Sequence, residues 1–188
     1  MAQLLYQGHG SYRITLGDGT VIYVDPYLGD GYDVPADLIL CSHEHHDHTA
    51  VGKMPHAPGC TVIRAADVLK DGKYLSLSSH GVGIRAVQAY NENHPKSECV
   101  GFVLSLDGVW LYAAGDTSMT EDMQTLLPGL GLDYALLPGD GVYNMDVDEA
   151  SECARIIGAK HTIPIHLYPE HLYDEAKARR FSCPGRLL

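Results

Sequence analysis

The feature that most constrains this chain is a polar run, His-Glu-His-His-Asp-His at residues 43–48, that directly follows the apolar segment Leu-Ile-Leu-Cys at residues 38–41. The apolar segment is typical of a buried strand, and residues 49–51 are expected to open a helix, so the run would occupy a strand-to-helix loop. A histidine-rich surface loop is the plain alternative. With 11 histidines among 188 residues, however, three histidines and one aspartate at these spacings are expected by chance only about 0.003 times per chain.

The side-chain chemistry of this run suits metal ions. Imidazole and carboxylate groups are ligands for zinc, manganese and iron. In an extended loop, side chains two residues apart face the same way, so His43 and His45 would bind one ion while the following turn directs Asp47 and His48 toward a second. The spacing therefore predicts part of a two-metal site, with Glu44 facing solvent.

A two-metal site needs more ligands than one loop supplies, and three later segments place a histidine or an aspartate just after a predicted strand. These residues are His94, Asp116 and His166. Their structural alternatives are a loop histidine, an aspartate that caps a helix and a half-buried packing histidine. In the metal interpretation the ligand sets are His43, His45 and His94 for one ion and Asp47, His48 and His166 for the other, with Asp116 bridging both.

The remaining pattern predicts an α+β fold in which strands come first and helices enter later. Short apolar or alternating segments separated by glycine turns predict strands, and Asp107-Gly108 is a strong hairpin turn. Two segments with helical spacing predict helices. The predicted strands are residues 11–16, 20–25, 37–41, 83–90, 99–106, 109–114, 133–138 and 161–165, and the predicted helices are residues 146–157 and 169–180.

Composition and charge limit the partners. The length is typical of one domain, taken as residues 1–188, and a hydrophobic content of 45% predicts a chain that is folded throughout. The formal net charge of −11 would repel nucleic-acid backbones and anionic membranes, which leaves a small molecule as the expected substrate. Scattered cysteines and the lack of a long apolar run favour a cytoplasmic protein, and a homo-oligomer is compatible with the sequence.

At these residues the sequence resembles the metallo-β-lactamase superfamily, whose members carry a His-x-His-x-Asp-His loop, a later histidine, a Gly-Asp-Thr-like aspartate and a final histidine in this order. The likeness runs from about Tyr6 to Tyr168 and is strongest to a branch of small predicted metal-dependent hydrolases, which also includes lactonases of the ascorbate-6-phosphate type. It implies a four-layer αββα sandwich, with two mixed β-sheets covered by helices and the metals at one edge. The motifs that carry it are Tyr6-x-Gly8-His9-x-Ser11, Asp25-Pro26-Tyr27, Ala89-Tyr90-Asn91, His94-Pro95, Gly115-Asp116-Thr117 and Pro164-Ile165-His166.

A dinuclear metal centre predicts hydrolytic chemistry. Two cations bridged by Asp116 would hold a water between them and lower its pKa from near 15.7 toward about 7. The hydroxide would attack a carbonyl or phosphoryl group, with Asp47 orienting it. The sequence therefore predicts a hydrolase that uses two divalent ions, zinc before manganese or iron, on a small lactone, ester or phosphoester. The alternative is a non-catalytic metal-binding or regulatory protein that retains the fold.

Three further residues are candidates for supporting roles. His9 and Asp25 would hold ligand imidazoles by hydrogen bonds, since metal-bound histidines usually need such a partner, although a structural role is equally typical of an aspartate before proline. Tyr168 follows His166 closely and would donate a proton to the leaving group, with packing beside a helix start as its alternative. His171 also follows His166 closely, as a second possible donor, but is not among the candidates, and no role is assigned to His46, His56, His80 and His161.

Overall fold

Two mixed β-sheets lie face to face in this computed structural model, which describes residues 2–169 and 171–188. The first sheet contains, in order across the sheet, β1 (Gln3–Gly8), β2 (Ser11–Thr15), β3 (Val21–Val24), β4 (Ala36–Cys41) and β5 (His56–Arg64). Neighbouring strands are antiparallel from β1 to β3 and parallel from β3 to β5. A short helix, α1 (Ala65–Val68), and a ribbon of β6 (Leu69–Lys70) and β7 (Lys73–Tyr74) lead to the second sheet.

The second sheet contains β8 (Ser76–Ser79), β9 (Val82–Gln88), β10 (Val100–Leu106), β11 (Val109–Ala113), β12 (Tyr134–Pro138) and β13 (His161–Ile165) in this order. Its strands are antiparallel from β8 to β11 and parallel from β11 to β13. The segments between and after the parallel strands form α2 (Glu121–Thr125), a 3-10 helix (Leu127–Leu130), α3 (Val147–Ile157) and α4 (Glu175–Arg180). None of the helices in the described ranges is long and apolar enough to span a membrane.

Alternation of side chains along the strands produces one core between the sheets and one on each outer face. Leu40 of the first sheet and Phe102 of the second are fully buried in the shared core. On the outer face of the second sheet, Tyr112 packs in a core completed by α2 and α3. On the outer face of the first sheet, the loop residues Tyr32 and Met54 cover the strands. The predicted α+β class with two mixed sheets is confirmed.

The local sequence of helix α3 determines where the helix begins, where it ends and which face it buries. The Asp146 side chain caps its start by accepting hydrogen bonds from the backbone nitrogens of Asp148 and Glu149. Gly158 ends it with a φ of 66°, a left-handed conformation in which glycine is the favoured residue. One face of the helix is buried against the second sheet through Val147, Ala150, Ser151, Cys153, Ala154 and Ile157.

The predicted helix at residues 49–51 is wrong. The backbone nitrogen of Ala50 donates to the carbonyl of Pro26 (2.9 Å), and the Thr49 hydroxyl donates to the carbonyl of His45 (3.0 Å). These bonds fold the segment into turns against the loop that follows β3. The polar run therefore lies between two parallel strands, β4 and β5, and not in a strand-to-helix loop.

The last helix is shorter than the predicted segment 169–180. It begins at Glu175, because the Asp174 side chain accepts a hydrogen bond from the backbone nitrogen of Lys177. Just before it, the carbonyl of Leu172 accepts from the backbone nitrogen of His9 (2.6 Å), which holds this segment against the turn after β1. Residue 170 of the predicted helix, like residue 1 of the predicted domain, lies outside the described residues.

Candidate metal centre

The candidate site lies where strands of both sheets reach their carboxyl ends. The polar run follows β4, Asp116 lies three residues after the end of β11, and His166 directly follows β13. Ligands of open α/β sheets bind outside the carboxyl ends of the strands, where loops from neighbouring strands converge. Side chains from the two sheets meet here in a set that we call the ligand cluster: His43, His45, Asp47, His48, His94, Asp116 and His166.

Together with His9, the residues of the ligand cluster form three groups, and within each group the potential ligand atoms all lie within 4.8 Å of one another. One group consists of histidines alone, and a second combines histidines with a carboxylate. A third joins members of the first two through Asp116. The groups are His43, His45 and His94; His9, Asp47, His48 and His166; and His43, His48 and Asp116.

Asp116 lies between the two main groups. Its Oδ1 is 3.4 Å from Nε2 of His48. Its Oδ2 is 3.4 Å from Nε2 of His94 and 3.3 Å from Nε2 of His166. The carboxylate therefore faces histidines of both groups at once, as predicted for a bridging ligand.

Unusual backbone conformations bring these side chains together. Gly115 has a φ of 65°, and a Cβ atom built there would lie 2.8 Å from the Cβ of Ser42, so glycine is needed on both grounds. His9, Asp25 and His166 also have positive φ values, of 56°, 45° and 45°. Such values are uncommon outside glycine and persist only where surrounding contacts hold them. One of those contacts joins the backbone nitrogen of His166 to the carbonyl of His9 (2.9 Å).

The Nδ1 atoms of four buried histidines face oxygen atoms of a surrounding layer. Each Nδ1 lies between 2.9 and 3.1 Å from its oxygen. Metal-bound histidines usually have such a partner, which fixes the ring and directs Nε2 at the ion. The pairs are His43 with Ser42 Oγ, His48 with Asp25 Oδ2, His94 with Asn91 Oδ1 and His166 with Asp140 Oδ2.

The inward-facing nitrogens fit a site for cations. The Nε2 atoms of His43, His48 and His166 are buried and have no hydrogen-bond partner. A buried polar atom without a partner is costly, and coordination to a cation would supply the missing interaction. The carboxylates of Asp47 and Asp116 bring the negative charge that a divalent ion needs. This mixture of imidazole and carboxylate suits zinc, manganese and iron.

The pKa shifts of the ligand-cluster side chains indicate the electrostatic potential at the position of a bound cation. Burial alone would raise the pKa of Asp116, but the imidazoles of His166 and His48 hold it well below its usual range. Burial, aided by the neighbouring His48, lowers the pKa of His43 to about 2. Burial also opposes the charged form of His166, yet Asp116 and Asp140 raise its pKa to about 9. Burial opposes the charged form of His48 too, yet Asp116 and Asp25 raise its pKa well above its usual value. The potential is therefore negative around both His48 and His166, which favours a cation on that side.

Asp25 and His9 both contact the ligand cluster, but in different ways. Asp25 lies against His48 as predicted, and it also accepts a hydrogen bond from the backbone nitrogen of Ser42 (2.7 Å). His9 donates from Nε2 to the Asp47 carboxylate (3.1 Å) and not to an imidazole. The expected imidazole partner of His9 is corrected to a carboxylate, because the left-handed turn after β1 directs the ring at the polar run.

Tyr168 packs against His171 and Lys177. Its ring centroid lies 4.6 Å from that of His171, and the Lys177 ammonium lies 5.5 Å from the same ring. The neighbouring Pro169, and not Tyr168, lines the cavity that opens over the ligand cluster. The position matches the packing alternative, while the predicted proton transfer stays a prediction.

A cavity of about 580 Å³ opens over the ligand cluster. Its floor consists of ligand-cluster side chains, including Asp47 and Asp116. His46, to which the sequence assigns no role, lies at its rim with 84% of the side chain exposed. Sequence reasoning did not identify the other wall residues, which are Tyr27, Asn93, Tyr143 and Pro169.

Asp140 is a site residue that sequence reasoning missed. It is buried, its Oδ2 accepts from the Asn144 amide (2.8 Å), and the same oxygen lies 3.1 Å from Nδ1 of His166. The Asn144 amide also donates to Oδ2 of Asp116 (3.1 Å). The signal was present, because Asp140 comes just after β12 and directly follows a glycine, as Asp116 does after β11.

Comparison with known proteins decides the family. A family model described as the beta-lactamase superfamily domain matches residues 3–166. The chain belongs to this superfamily. A metal-dependent hydrolase from Rubrobacter xylanophilus is 32% identical over 87% of this chain and 81% of the relative. A metal-dependent hydrolase from Methanocorpusculum labreanum is 31% identical over 95% of this chain and 90% of its own length.

A solved structure supports the same placement within the beta-lactamase superfamily. The crystal structure of a protein named as a metal-dependent hydrolase from Parabacteroides distasonis is 31% identical, with a TM-score of 0.76. The match covers 90% of this chain and 83% of that one. By class, the chain is thus a metal-dependent hydrolase of the metallo-β-lactamase superfamily.

Proposed function

We propose that this protein holds two divalent cations, zinc before manganese or iron, and uses them to hydrolyse a small lactone, ester or phosphoester. The observation that carries the proposal is the position of Asp116. One carboxylate oxygen faces His48 at 3.4 Å, and the other faces His94 at 3.4 Å. A carboxylate shared by two ligand groups suits a two-ion centre, whereas a purely structural zinc site closes around one ion.

Two sets of side chains would each bind one of the two cations. When bound, the cations would supply Lewis acidity toward the carbonyl or phosphoryl oxygen and would acidify a water molecule. The surrounding oxygens of Ser42, Asp25, Asn91 and Asp140 would fix the rings that face the ions. One position would use His43, His45 and His94, the other Asp47, His48 and His166, with Asp116 shared.

Asp47 is placed to orient the attacking water. Its side chain lines the cavity and is 22% exposed, so it can reach a water there. One of its oxygens is fixed by the hydrogen bond from His9, which sets the direction of the carboxylate. Burial opposes its ionisation, but His9 and His48 lower the pKa of Asp47 below its usual range. The ionised carboxylate can therefore accept a hydrogen bond from that water and orient it. Proton donation by Tyr168 to the leaving group stays a prediction.

Metal content tests the proposal directly. The protein is purified without chelators or metal-affinity columns, and its metals are measured by elemental analysis in wild type, Asp116→Ala and His45→Ala. We expect about two equivalents of transition metal in the wild type and a clear loss in both variants. His46→Ala is the matched control, because His46 is a histidine of the same run that belongs to none of the ligand groups. It should keep the wild-type content.

Hydrolysis assays separate this proposal from the second candidate, a non-catalytic metal-binding or regulatory protein. Full metal content with no turnover of lactones, aryl esters or phosphodiesters would favour that second candidate. A folded protein that takes up none of the offered zinc, manganese or iron would end the metal mechanism. A single domain over residues 1–188, a cytoplasmic location, a homo-oligomeric state and the relation to ascorbate-6-phosphate lactonases stay predictions.

A further inference from the structure

We infer that the cavity takes an uncharged acyl substrate, an ester or a lactone, whose non-reacting part packs between Tyr143 and Tyr27, and that it discriminates against anionic substrates such as phosphoesters. The inference rests on the proposed function and narrows its substrate class. It follows from the charge of the cavity walls, the fixed position of the two tyrosines and the charge change during ester hydrolysis.

The cavity walls carry no formal charge where a substrate would extend beyond the ligand cluster. Apart from the exposed imidazole of His46 at the rim, they consist of two phenols, an amide and a proline ring: Tyr27, Tyr143, Asn93 and Pro169. Among the described residues that line the cavity, none is a lysine or an arginine. Sites that recognise phosphate generally present such cations to its oxygens, arginine above all. An anionic substrate would therefore find no lysine or arginine among the described residues of these walls.

Cationic side chains near the site are bound to other groups. Lys53 donates to the carbonyls of Tyr27 (2.8 Å) and Gly29 (3.2 Å) on the outer side of the Tyr27 loop. Lys177 donates to the carbonyl of Asp140 (2.6 Å). Moving either ammonium into the cavity would break these bonds. The cations therefore support the loops that form the walls and leave the walls themselves neutral.

Tyr143 is held in a fixed loop although its side chain is exposed. The residue is 51% exposed. Its backbone nitrogen donates to Oδ1 of Asp140 (2.7 Å), and its carbonyl accepts from the amides of Asn91 (2.9 Å) and Asn93 (3.3 Å). A large exposed aromatic side chain on an ordered loop offers packing surface at low entropic cost. The arrangement suits contact with an apolar or planar part of a substrate.

Tyr27 also lines the cavity and is held in place. Its backbone nitrogen donates to the hydroxyl of Tyr32 (3.0 Å). Its ring centroid lies 5.4 Å from that of His9 and 5.6 Å from that of His46. Two ordered phenol rings thus flank the opening above the ligand cluster.

Ester hydrolysis converts an uncharged substrate into an anionic product, and walls whose described residues include no lysine or arginine favour release of that product. A bond forms between the water oxygen and the acyl carbon, and the bond from that carbon to the alkoxy oxygen breaks with its electron pair moving to that oxygen. One water proton ends on the alkoxy oxygen, and the new carboxylic acid gives up the other to solvent. The carboxylate product is an anion without a cationic partner on the walls, so its release is favoured in a chain of formal charge −11.

A matched pair of substrates isolates the effect of charge. 4-Nitrophenyl butyrate and 4-nitrophenyl hemisuccinate share a leaving group and an acyl length, but only the hemisuccinate carries a carboxylate. For the metal-loaded protein we expect a kcat/KM at least about 30-fold higher for the butyrate, with most of the difference in KM. Bis(4-nitrophenyl) phosphate, with the same leaving group, should show no saturable turnover.

Variants at Tyr143 test the wall directly. Tyr143→Ala should raise the KM for the butyrate about 3- to 10-fold with little change in kcat, while Tyr143→Phe, which keeps the ring, should raise it by less than about 2-fold. Tyr143→Lys should lower the ratio of kcat/KM for the butyrate to kcat/KM for the hemisuccinate. Val142→Lys is the matched control, since Val142 is 60% exposed on the same loop but does not line the cavity. An equal decrease of this ratio in Tyr143→Lys and Val142→Lys would overturn the role of Tyr143.

Efficient turnover of the hemisuccinate or the phosphodiester would overturn the inference and leave the hydrolase proposal standing. If no ester is hydrolysed by protein with full metal content, the hydrolase proposal fails, and binding then decides the inference separately. Calorimetry would compare the amide analogues N-phenylbutyramide and N-phenylsuccinamate. Tighter binding of the uncharged amide, weakened in Tyr143→Ala, would support the inference, and tighter binding of the anion would overturn it.

Discussion

Asp140 connects the ligand cluster to the cavity wall through its two carboxylate oxygens. Oδ1 accepts from the backbone nitrogens of Val142 (2.6 Å) and Tyr143 (2.7 Å), and Oδ2 lies 3.1 Å from Nδ1 of His166. Burial would raise the pKa of Asp140, but His166 and the backbone N–H groups lower it to about 2. The group is therefore an anion at neutral pH, and it positions a candidate ligand and a candidate substrate contact together.

Replacing this anion should weaken metal binding on one side of the centre. Asp140→Asn keeps the size of the side chain but removes its charge, so His166 loses an anionic partner. Loss of such outer partners typically lowers metal affinity about 10- to 100-fold. We expect dialysis against a weak chelator to remove one ion from the variant while the wild type keeps both, as read by elemental analysis. Asp148→Asn, on an exposed side chain, is the control, and equal retention in all three proteins would contradict the prediction.

At the scale of residues, the sequence was informative where side chains follow strands. His94, Asp116 and His166 could be predicted because each comes just after an apolar segment, and loops after strands converge. Asp140 obeys the same rule but was missed, since its segment, unlike Gly115-Asp116-Thr117, is not among the motifs that carry the family resemblance. Tyr143 carried no signal at all, because its place in the wall depends on the path of its loop and on bonds to residues about 50 positions away.

At the scale of elements, the cap of α3 should contribute to stability and not to the metal centre. Asp146→Ala removes the acceptor for the backbone nitrogens of Asp148 and Glu149. We expect the free energy of unfolding, measured by urea denaturation of metal-loaded protein, to fall by about 0.5–2 kcal/mol, with metal content unchanged. Asp148→Ala is the control, because it removes an exposed carboxylate from the same first turn without removing the cap. Equal losses in the two variants would show that charge near the helix start, and not the cap, is responsible.

Elements were predictable where one local signal dominates. The hairpin of β10 and β11 follows from two apolar strands around Asp107-Gly108, whose φ values of 49° and 75° suit the turn. Strand β5 was missed because Pro58 and Gly59 interrupt its alternation, and tertiary pairing with β4 overrides this local preference. The helix predicted at residues 49–51 failed for the same kind of reason, since the long-range bond from Ala50 to Pro26 decides its conformation.

At the scale of the whole molecule, the ligand cluster joins the two sheets. Its residues from the polar run follow β4 in the first sheet, whereas His94, Asp116 and His166 follow strands of the second. Ions held by both sets would cross-link the sheets at one edge of the sandwich. Without the ions, the negative charges of Asp47 and Asp116 repel each other, and only the neighbouring imidazoles offset this repulsion.

Removal of metal should therefore destabilise the fold as a whole. A ligand that binds only the folded state stabilises it by about 2.7 kcal/mol when its concentration is a hundred times its Kd, and for a chain of this size each kcal/mol shifts Tm by about 2–4 °C. We expect exhaustive chelation to lower Tm in differential scanning calorimetry by about 5–10 °C, with recovery when zinc is restored. Asp116→Ala should show a much smaller response to chelator, because it lacks the carboxylate that faces both ligand groups. A wild-type Tm that does not respond to chelation or to added metal would mean that packing between the sheets is sufficient, and that the ions, if bound, do not hold the sandwich together.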